Sequence, residues 1–119
     1  MDRMKRRADF LAAAKGARAS MPAFLMQARD RKDNAASRIG FTVTKKTGSS
    51  VERNRIRRRL RAAARAVVSS VEHKGFDYVL VARRPALHAP FAALVADLQN
   101  AVTRLHRPAR RSRDVDAHG

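Results

Sequence analysis

The sequence contains no cysteine and no tryptophan. Without cysteine the chain forms no disulfide and no thiolate metal site, so a reducing compartment is expected. No apolar run approaches the ~20 residues of a membrane-spanning helix, and the basic N-terminus is not followed by the long apolar segment of a secretory signal. The sequence therefore predicts a cytoplasmic protein.

Acidic residues are also scarce. The 119 residues include 10 Asp and Glu against 27 Lys and Arg, which gives a net charge of +17. Residues 1–65 hold 19 basic and 5 acidic residues, a net charge of +14, whereas residues 66–119 hold 8 and 5, a net charge of +3. Such self-repulsion does not assist folding, but a polyanionic partner relieves it. Nucleic acid is favoured over an acidic membrane, because the apolar face of the most basic helix suits a protein core.

The length and the apolar content of 45% fit one compact domain. We predict that this domain covers residues 1–107 and includes a flexible basic arm at residues 1–6. Residues 108–119 are polar and basic, and we predict a disordered tail there.

Three segments have strand patterns. Residues 38–44 alternate apolar with small or polar side chains, as in a half-buried strand. Residues 23–29 form a second candidate, and we expect these two strands to pair antiparallel because they are close in sequence. Residues 76–82 are almost continuously apolar, which predicts a central, buried strand.

Three helices complete the pattern. A short one is expected over residues 7–15, and a last one begins at Pro90. Ser49 and Glu52 form a capping-box pattern at the start of a long helix that runs to about His73 and is ended by Gly75. The order helix, strand, strand, helix, strand, helix predicts an α/β fold of the α+β sandwich type, with helices packed on a small mixed sheet.

The long helix is rich in arginine and has an apolar stripe. At 100° per residue most of these arginines lie opposite or beside the stripe, although Arg53 falls near its apolar side. Arginine pairs bidentately with phosphate oxygens. A lysine pair before Gly48 lies near the helix N-terminus, a favourable place for an anion. The candidate RNA-binding residues are Lys45, Lys46, Arg53, Asn54, Arg55, Arg57, Arg58, Arg61 and Arg65.

Aromatic residues offer a second kind of contact, while no catalytic pattern is present. Phe10, Phe24 and Phe41 are either core residues or stacking platforms for unpaired bases.

The four histidines have no metal-ligand spacing, and the carboxylates form no two-metal pattern. We therefore predict no catalytic residue and no metal site in this chain.

Residues 39–61, IGFTVTKKTGSSVERNRIRRRLR, resemble the signature region of the bacterial ribonuclease P (RNase P) protein subunit. The matching elements are Gly40, Lys45-Lys46, Gly48, Val51, Arg53-Asn54-Arg55 and Arg58-Arg59-Leu60-Arg61. Weaker matches are Asp9-Phe10, Phe24 and residues 77–83. The resemblance covers roughly residues 3–106.

The resemblance implies an accessory subunit of a ribonucleoprotein endoribonuclease that removes the 5′ leader of precursor tRNA. Arg53-Asn54-Arg55 would bind the RNase P RNA, which is required for activity. A cleft between the first helix and the sheet, with Phe10, Phe24 and Phe41 as candidates, would hold the leader. Cleavage would belong to the RNA and to Mg²⁺ bound mainly by it. The resemblance also implies a left-handed β-α-β crossover, an exception to the usual hand.

One position departs from the family pattern. Many members carry a second aromatic residue four positions after the phenylalanine of the first helix, where this chain has Ala14. Our hypothesis is that contact with the leader is weaker in this chain, or that Phe24 or Phe41 supplies the contact instead.

Three other classes of protein share some of these features. A structural RNA-binding protein of the ribosomal type has the same charge and fold class. A DNA-binding module is disfavoured because the basic helix is too uniformly arginine to read bases, so no DNA partner is expected. A stand-alone nuclease would need a metal cluster that the sequence lacks.

Overall fold

The computed structural model describes residues 2–71 and 74–106. Within this part, five strands and three α-helices follow one another as β1 (Asp2–Arg3), α1 (Arg7–Ala14), β2 (Ala17–Ser20), β3 (Phe24–Asp30), β4 (Arg38–Thr42), α2 (Ser50–Val71), β5 (Phe76–Ala82) and α3 (Phe91–Leu105). Short 3-10 turns at Lys45–Thr47 and Arg84–Leu87 precede α2 and α3. The tail predicted at residues 108–119 lies outside the described residues.

The strands form one mixed sheet in the order β1-β4-β5-β3-β2. The central strand β5 pairs in parallel with β4 and antiparallel with β3. Its residues Tyr78, Val79 and Leu80 are buried, as expected for a strand covered on both faces. The predicted α+β class, the mixed sheet and the central position of β5 are confirmed.

The predicted antiparallel pairing of residues 23–29 with residues 38–44 is wrong. β5 lies between β3 and β4, and β4 pairs in parallel with β1 and β5. The physical reason is burial, because the most apolar strand gains most from the centre of the sheet and therefore separates two strands that are neighbours in sequence. The left-handed crossover implied by the resemblance stays a prediction.

Two edge strands are absent from the sequence-based assignment. β1 lies in the arm predicted to be flexible, where Met4 is buried and its backbone N–H donates to the Ile39 carbonyl at 2.9 Å. β2 has the sequence ARAS, which carries no strand signal, yet it pairs antiparallel with β3 from Ala17 to Ser20. Both strands form by backbone pairing with a neighbour, and in β2 only Ala19 adds a buried side chain among the described residues.

The start of α2 follows the predicted capping box. The Ser49 N–H donates to Glu52 Oε1 at 2.9 Å, and the Glu52 N–H donates to Ser49 Oγ at 3.2 Å. The apolar stripe of α2 is buried in the main core, which it shares with α3 and with the inner side chains of β3 and β5. No helix in the described part of the chain is long and apolar enough to cross a membrane.

A smaller cluster covers the second face of the sheet. Met4, Ala13 and Val79 are buried there, and Phe10 and Val81 pack against them. Helix α1 contacts β3 and β5 in this region. The sheet thus carries α2 and α3 on one face and the short helix α1 on the other.

Candidate nucleic-acid interface

The outward face of α2 carries positive charge that no carboxylate of the described residues neutralises. Arg55, Arg58 and Arg65 are exposed, and Arg57 and Arg61 are partly exposed. Asn54 accepts a hydrogen bond from Arg57 Nη1 at 3.1 Å, which orders the first turns of this face. None of these five arginines takes part in an ion pair among the residues that the structure describes. The face can therefore accept several phosphates.

Two arginines of the same helix are used differently. Arg59 Nη1 donates to the Ala86 carbonyl at 2.7 Å, and its Nη2 donates to the Ala89 carbonyl, so this guanidinium joins α2 to the turn before α3. Arg53 Nη2 donates to Ser50 Oγ at 3.3 Å, while its Nε is buried without a hydrogen-bond partner. Arg53 is half-buried, in keeping with its predicted position near the apolar side.

Lys45 and Lys46 are exposed in the 3-10 turn beside the N-terminus of α2. The nearby Glu52 does not neutralise them, because both its oxygens accept hydrogen bonds from Arg84 at 2.8 and 2.9 Å. This guanidinium, and then the Ser49 N–H, lower the pKa of Glu52 to about 2. A Cβ at Gly48 would lie 2.6 Å from the Arg84–Glu52 pair, so glycine lets the loop close over it.

An open pocket of about 100 Å³ lies where α1, the β1–β4 edge and α2 meet. Phe10 and Phe41 line it and are only partly buried. The Arg61 Cζ lies 5.7 Å from the centroid of the Phe41 ring, a cation–π distance. Arg3 and Arg57 complete the charged part of the wall. Aromatic rings beside guanidinium groups can take a base and its phosphate.

Phe24 does not belong to this pocket. It has no exposed surface and packs in the main core between the sheet and the helices α2 and α3. The candidate cleft residue Phe24 is therefore corrected to a core residue, because its strand position directs the ring to the interior. The structure brings Phe10 and Phe41 together without it.

A buried ion-pair network was not recognised in the sequence. Asp77 of β5 has no exposed surface and accepts hydrogen bonds from Arg31 Nη1 at 2.7 Å and from Arg38 Nε and Nη2 at 2.8 Å each. Asp77 raises the pKa of Arg38. Asp9 of α1 lies 3.2 Å from Arg38 and 3.5 Å from Arg29. The signal that could have revealed the network is an aspartate within an otherwise apolar strand.

Among residues 2–71 and 74–106, no three His, Asp or Glu side chains come together as a metal site. The carboxylates of the Asp77 network form ion pairs with arginine side chains. This arrangement stabilises the fold and leaves these carboxylates poorly suited to bind a metal ion. The geometry of this chain supports binding of an anionic polymer.

The comparisons with known proteins agree with this geometry. The family model described as Ribonuclease P matches residues 1–106. The ribonuclease P protein component of Bartonella quintana is 43% identical over 106 residues, which are 84% of this chain and 80% of that protein. The corresponding protein of Gluconacetobacter diazotrophicus is 48% identical over 98 residues, 82% of this chain and 84% of that protein.

Solved structures show the same fold. The RNase P protein of Thermotoga maritima superposes with a TM-score of 0.75 at 26% identity, covering 90% of this chain and 100% of that one. The RNase P protein of Staphylococcus aureus gives a TM-score of 0.74 at 26% identity, with coverage of 89% and 96%. The chain therefore belongs to the ribonuclease P protein family, the protein subunit of the tRNA-processing ribonucleoprotein RNase P.

Proposed function

We propose that this chain binds the RNase P RNA through the basic face of α2 and the adjoining lysine turn, and binds the 5′ leader of precursor tRNA at the Phe10–Phe41 pocket. The observation that carries the proposal is the row of α2 arginines without carboxylate partners in the described structure. In this assignment the chain is the accessory subunit of an endoribonuclease, and the RNA carries the chemistry.

The RNA-binding surface is proposed to extend from the lysine turn along α2. Its exposed guanidinium groups suit the phosphate backbone, because charge complementarity dominates affinity for nucleic acid. The residues assigned to this surface are Lys45, Lys46, Arg53, Asn54, Arg55, Arg57, Arg58, Arg61 and Arg65. Arg59 is left out because its guanidinium is bound to the Ala86 carbonyl.

The leader is proposed to place an unpaired base against Phe10 or Phe41. Both rings line one pocket, and Arg61 over Phe41 adds a cation that can face a leader phosphate. Of the two rings proposed to replace the missing aromatic at Ala14, Phe41 is the accessible one.

Magnesium is assigned to the RNA. Mg²⁺ prefers carboxylate ligands together with water and substrate phosphates. In this chain Asp9, Glu52 and Asp77 are each engaged by arginine, so they do not fit that ligand set.

We expect the assembled enzyme to act in the cytoplasm, where precursor tRNA is transcribed.

The test is cleavage of a 5′-labelled precursor tRNA at low Mg²⁺ by the RNase P RNA alone, by this protein alone and by the mixture. Efficient release of the leader only in the mixture supports the proposal. Tight RNA binding without any gain in cleavage would point to a purely structural RNA-binding role. Equal competition by duplex DNA and by RNase P RNA would contradict the assigned partner.

A further inference from the structure

Helix α1 buries little of its own surface against the sheet. It is only eight residues long, Arg7–Ala14, and its N-cap residue Arg6 makes no side-chain capping hydrogen bond. Ala13 is its one fully buried residue in the described structure, while Leu11 is 53% exposed. A short helix with so little burial needs a further constraint to keep a defined place on the sheet.

Asp9 provides such a constraint. Its carboxylate lies 3.2 Å from Arg38 on β4 and 3.5 Å from Arg29 on β3, so it joins α1 to two strands that flank β5. Arg38 is itself held by two 2.8 Å hydrogen bonds to the fully buried Asp77. Arg38, the nearer of the two partners of Asp9, is therefore fixed by the core rather than free in solvent.

The residue after Asp9 is Phe10, and its ring lies directly over Gly40. A Cβ at Gly40 would come within 2.5 Å of Phe10 Cζ and 3.2 Å of Met4 Cβ. The Phe10 ring can therefore pack in this position only because residue 40 has no side chain. Asp9 holds the helix that delivers the ring to it.

We propose that Asp9 is a positioning residue for leader binding, because its ion pairs to Arg38 and Arg29 keep α1 where the Phe10 ring rests on Gly40 and lines the pocket. The proposal rests on the proposed leader contact at Phe10. Asp9 itself touches no RNA in this arrangement, and Arg38 is neutralised by Asp9 and Asp77 rather than by phosphate.

The test measures the affinity of the reconstituted holoenzyme for precursor tRNA with a long single-stranded leader and with a one-nucleotide leader. The central variant is Asp9→Asn, which keeps the shape of the side chain and removes its charge. Asp97→Asn on α3 is the control, because it makes the same charge change on a helix that does not line the pocket. Gly40→Ala is the second variant, since its added Cβ would displace the Phe10 ring while all members of the ion pairs are kept.

We expect Asp9→Asn and Gly40→Ala each to weaken long-leader binding by about 3- to 10-fold, part of the loss that follows when a base loses an aromatic partner. Binding of the one-nucleotide substrate and of the RNase P RNA should stay the same. Asp9→Glu, which keeps the charge, should restore most of the long-leader affinity. A merely stabilising role of Asp9 would lower the unfolding temperature and leave the ratio between the two substrates unchanged.

Phe10→Ala separates the two proposals. If Phe10→Ala lowers long-leader affinity and Asp9→Asn does not, positioning by Asp9 is wrong and the pocket stands. If Phe10→Ala has no leader-specific effect, the leader contact itself is wrong. Tighter long-leader binding by Asp9→Asn would mean that a released Arg38 binds phosphate, which also overturns the positioning role.

Discussion

Arginines do opposite work in two regions of this molecule. Around Asp77, Arg31 and Arg38 are held by a buried carboxylate and by neighbouring acidic groups. On the outward face of α2, Arg58 and Arg61 have no carboxylate partner in the described structure. The same side chain therefore serves the fold in one place and is left available to an anionic partner in the other, and the net charge of +17 does not distinguish them.

The difference follows from desolvation. A fully buried carboxylate is costly unless several donors satisfy it, and the planar arginine fork supplies them. At an exposed position such as Arg58, a guanidinium without a carboxylate partner stays hydrated at little cost and can exchange that water for a phosphate. Removing charge from the two regions should accordingly have different consequences.

The largest effect is expected for Asp77→Ala. It leaves Arg31 and Arg38 partly buried without their main partner, so the free energy of unfolding should fall by about 3–5 kcal/mol. Urea unfolding followed by circular dichroism measures this. Arg58→Ala is the matched surface change and should stay within about 0.5 kcal/mol. Similar losses for both variants would abolish the distinction between the regions.

The next effect concerns RNA affinity and its salt dependence. If the chain contacts about 6–8 phosphates, log affinity for the RNase P RNA should fall with log salt at a slope of about −5 to −7. Arg58→Ala and Arg61→Ala should each reduce that slope by about one. Arg59→Ala is the control within α2, because its guanidinium is already bound to the Ala86 carbonyl. An unchanged slope for Arg58→Ala would mean that the face is only solvated.

A smaller effect is expected on the pH dependence of stability, through the ion pair between Arg84 and Glu52. The folded state lowers the pKa of Glu52 from 4.5 to about 2, so the stability from the ionised carboxylate is fully present above pH 4.5 and is lost as the pH falls toward 2. The difference in unfolding free energy between the native chain and Glu52→Gln should therefore be constant near neutral pH and shrink through this window. Denaturant titrations at several pH values measure it, and a difference that grows on acidification would contradict the pairing.

The smallest effect is expected for Ala14→Phe in α1. This helix contacts the Asp77 network through Asp9 and lines the pocket through Phe10. Ala14 is exposed one turn after Phe10, so Ala14→Phe adds a ring beside the pocket. Binding of precursor tRNA with a long leader should tighten by a few-fold. Binding of mature tRNA serves as the control, and equal tightening of both would exclude a leader contact at this position.

Local patterns in the sequence predict much of this structure. The capping box at Ser49 and Glu52, the apolar stripe of α2 and the central strand β5 all appear as expected. These features depend on residues within one or two helical turns, or on one continuous apolar run, so neighbouring side chains are sufficient to specify them. The arginine row opposite the stripe follows from the same periodicity.

Long-range pairing is where the sequence-based assignment fails. β2 was not predicted because its residues carry no strand preference, and the predicted β3–β4 pair is replaced by two pairs to β5. Phe24 and Phe41 look alike in sequence, yet Phe24 is fully buried and Phe41 lines the pocket. Both rings lie on the face of the sheet that carries α2 and α3, and Phe41 is the accessible one because β4 lies beside the two-residue edge strand β1, where the pocket opens.

The amino-acid order alone was enough to indicate an RNA-binding member of the RNase P protein family, because charge, helix periodicity and the signature segment are local properties. The tertiary fold decided which cations remain available and where the pocket lies. Asp77 meets Arg38 across 39 residues of chain, and Phe10 meets Gly40 only because α1 packs on the second face of the sheet. Such contacts arise from burial and strand order, which emerge only when the whole core assembles.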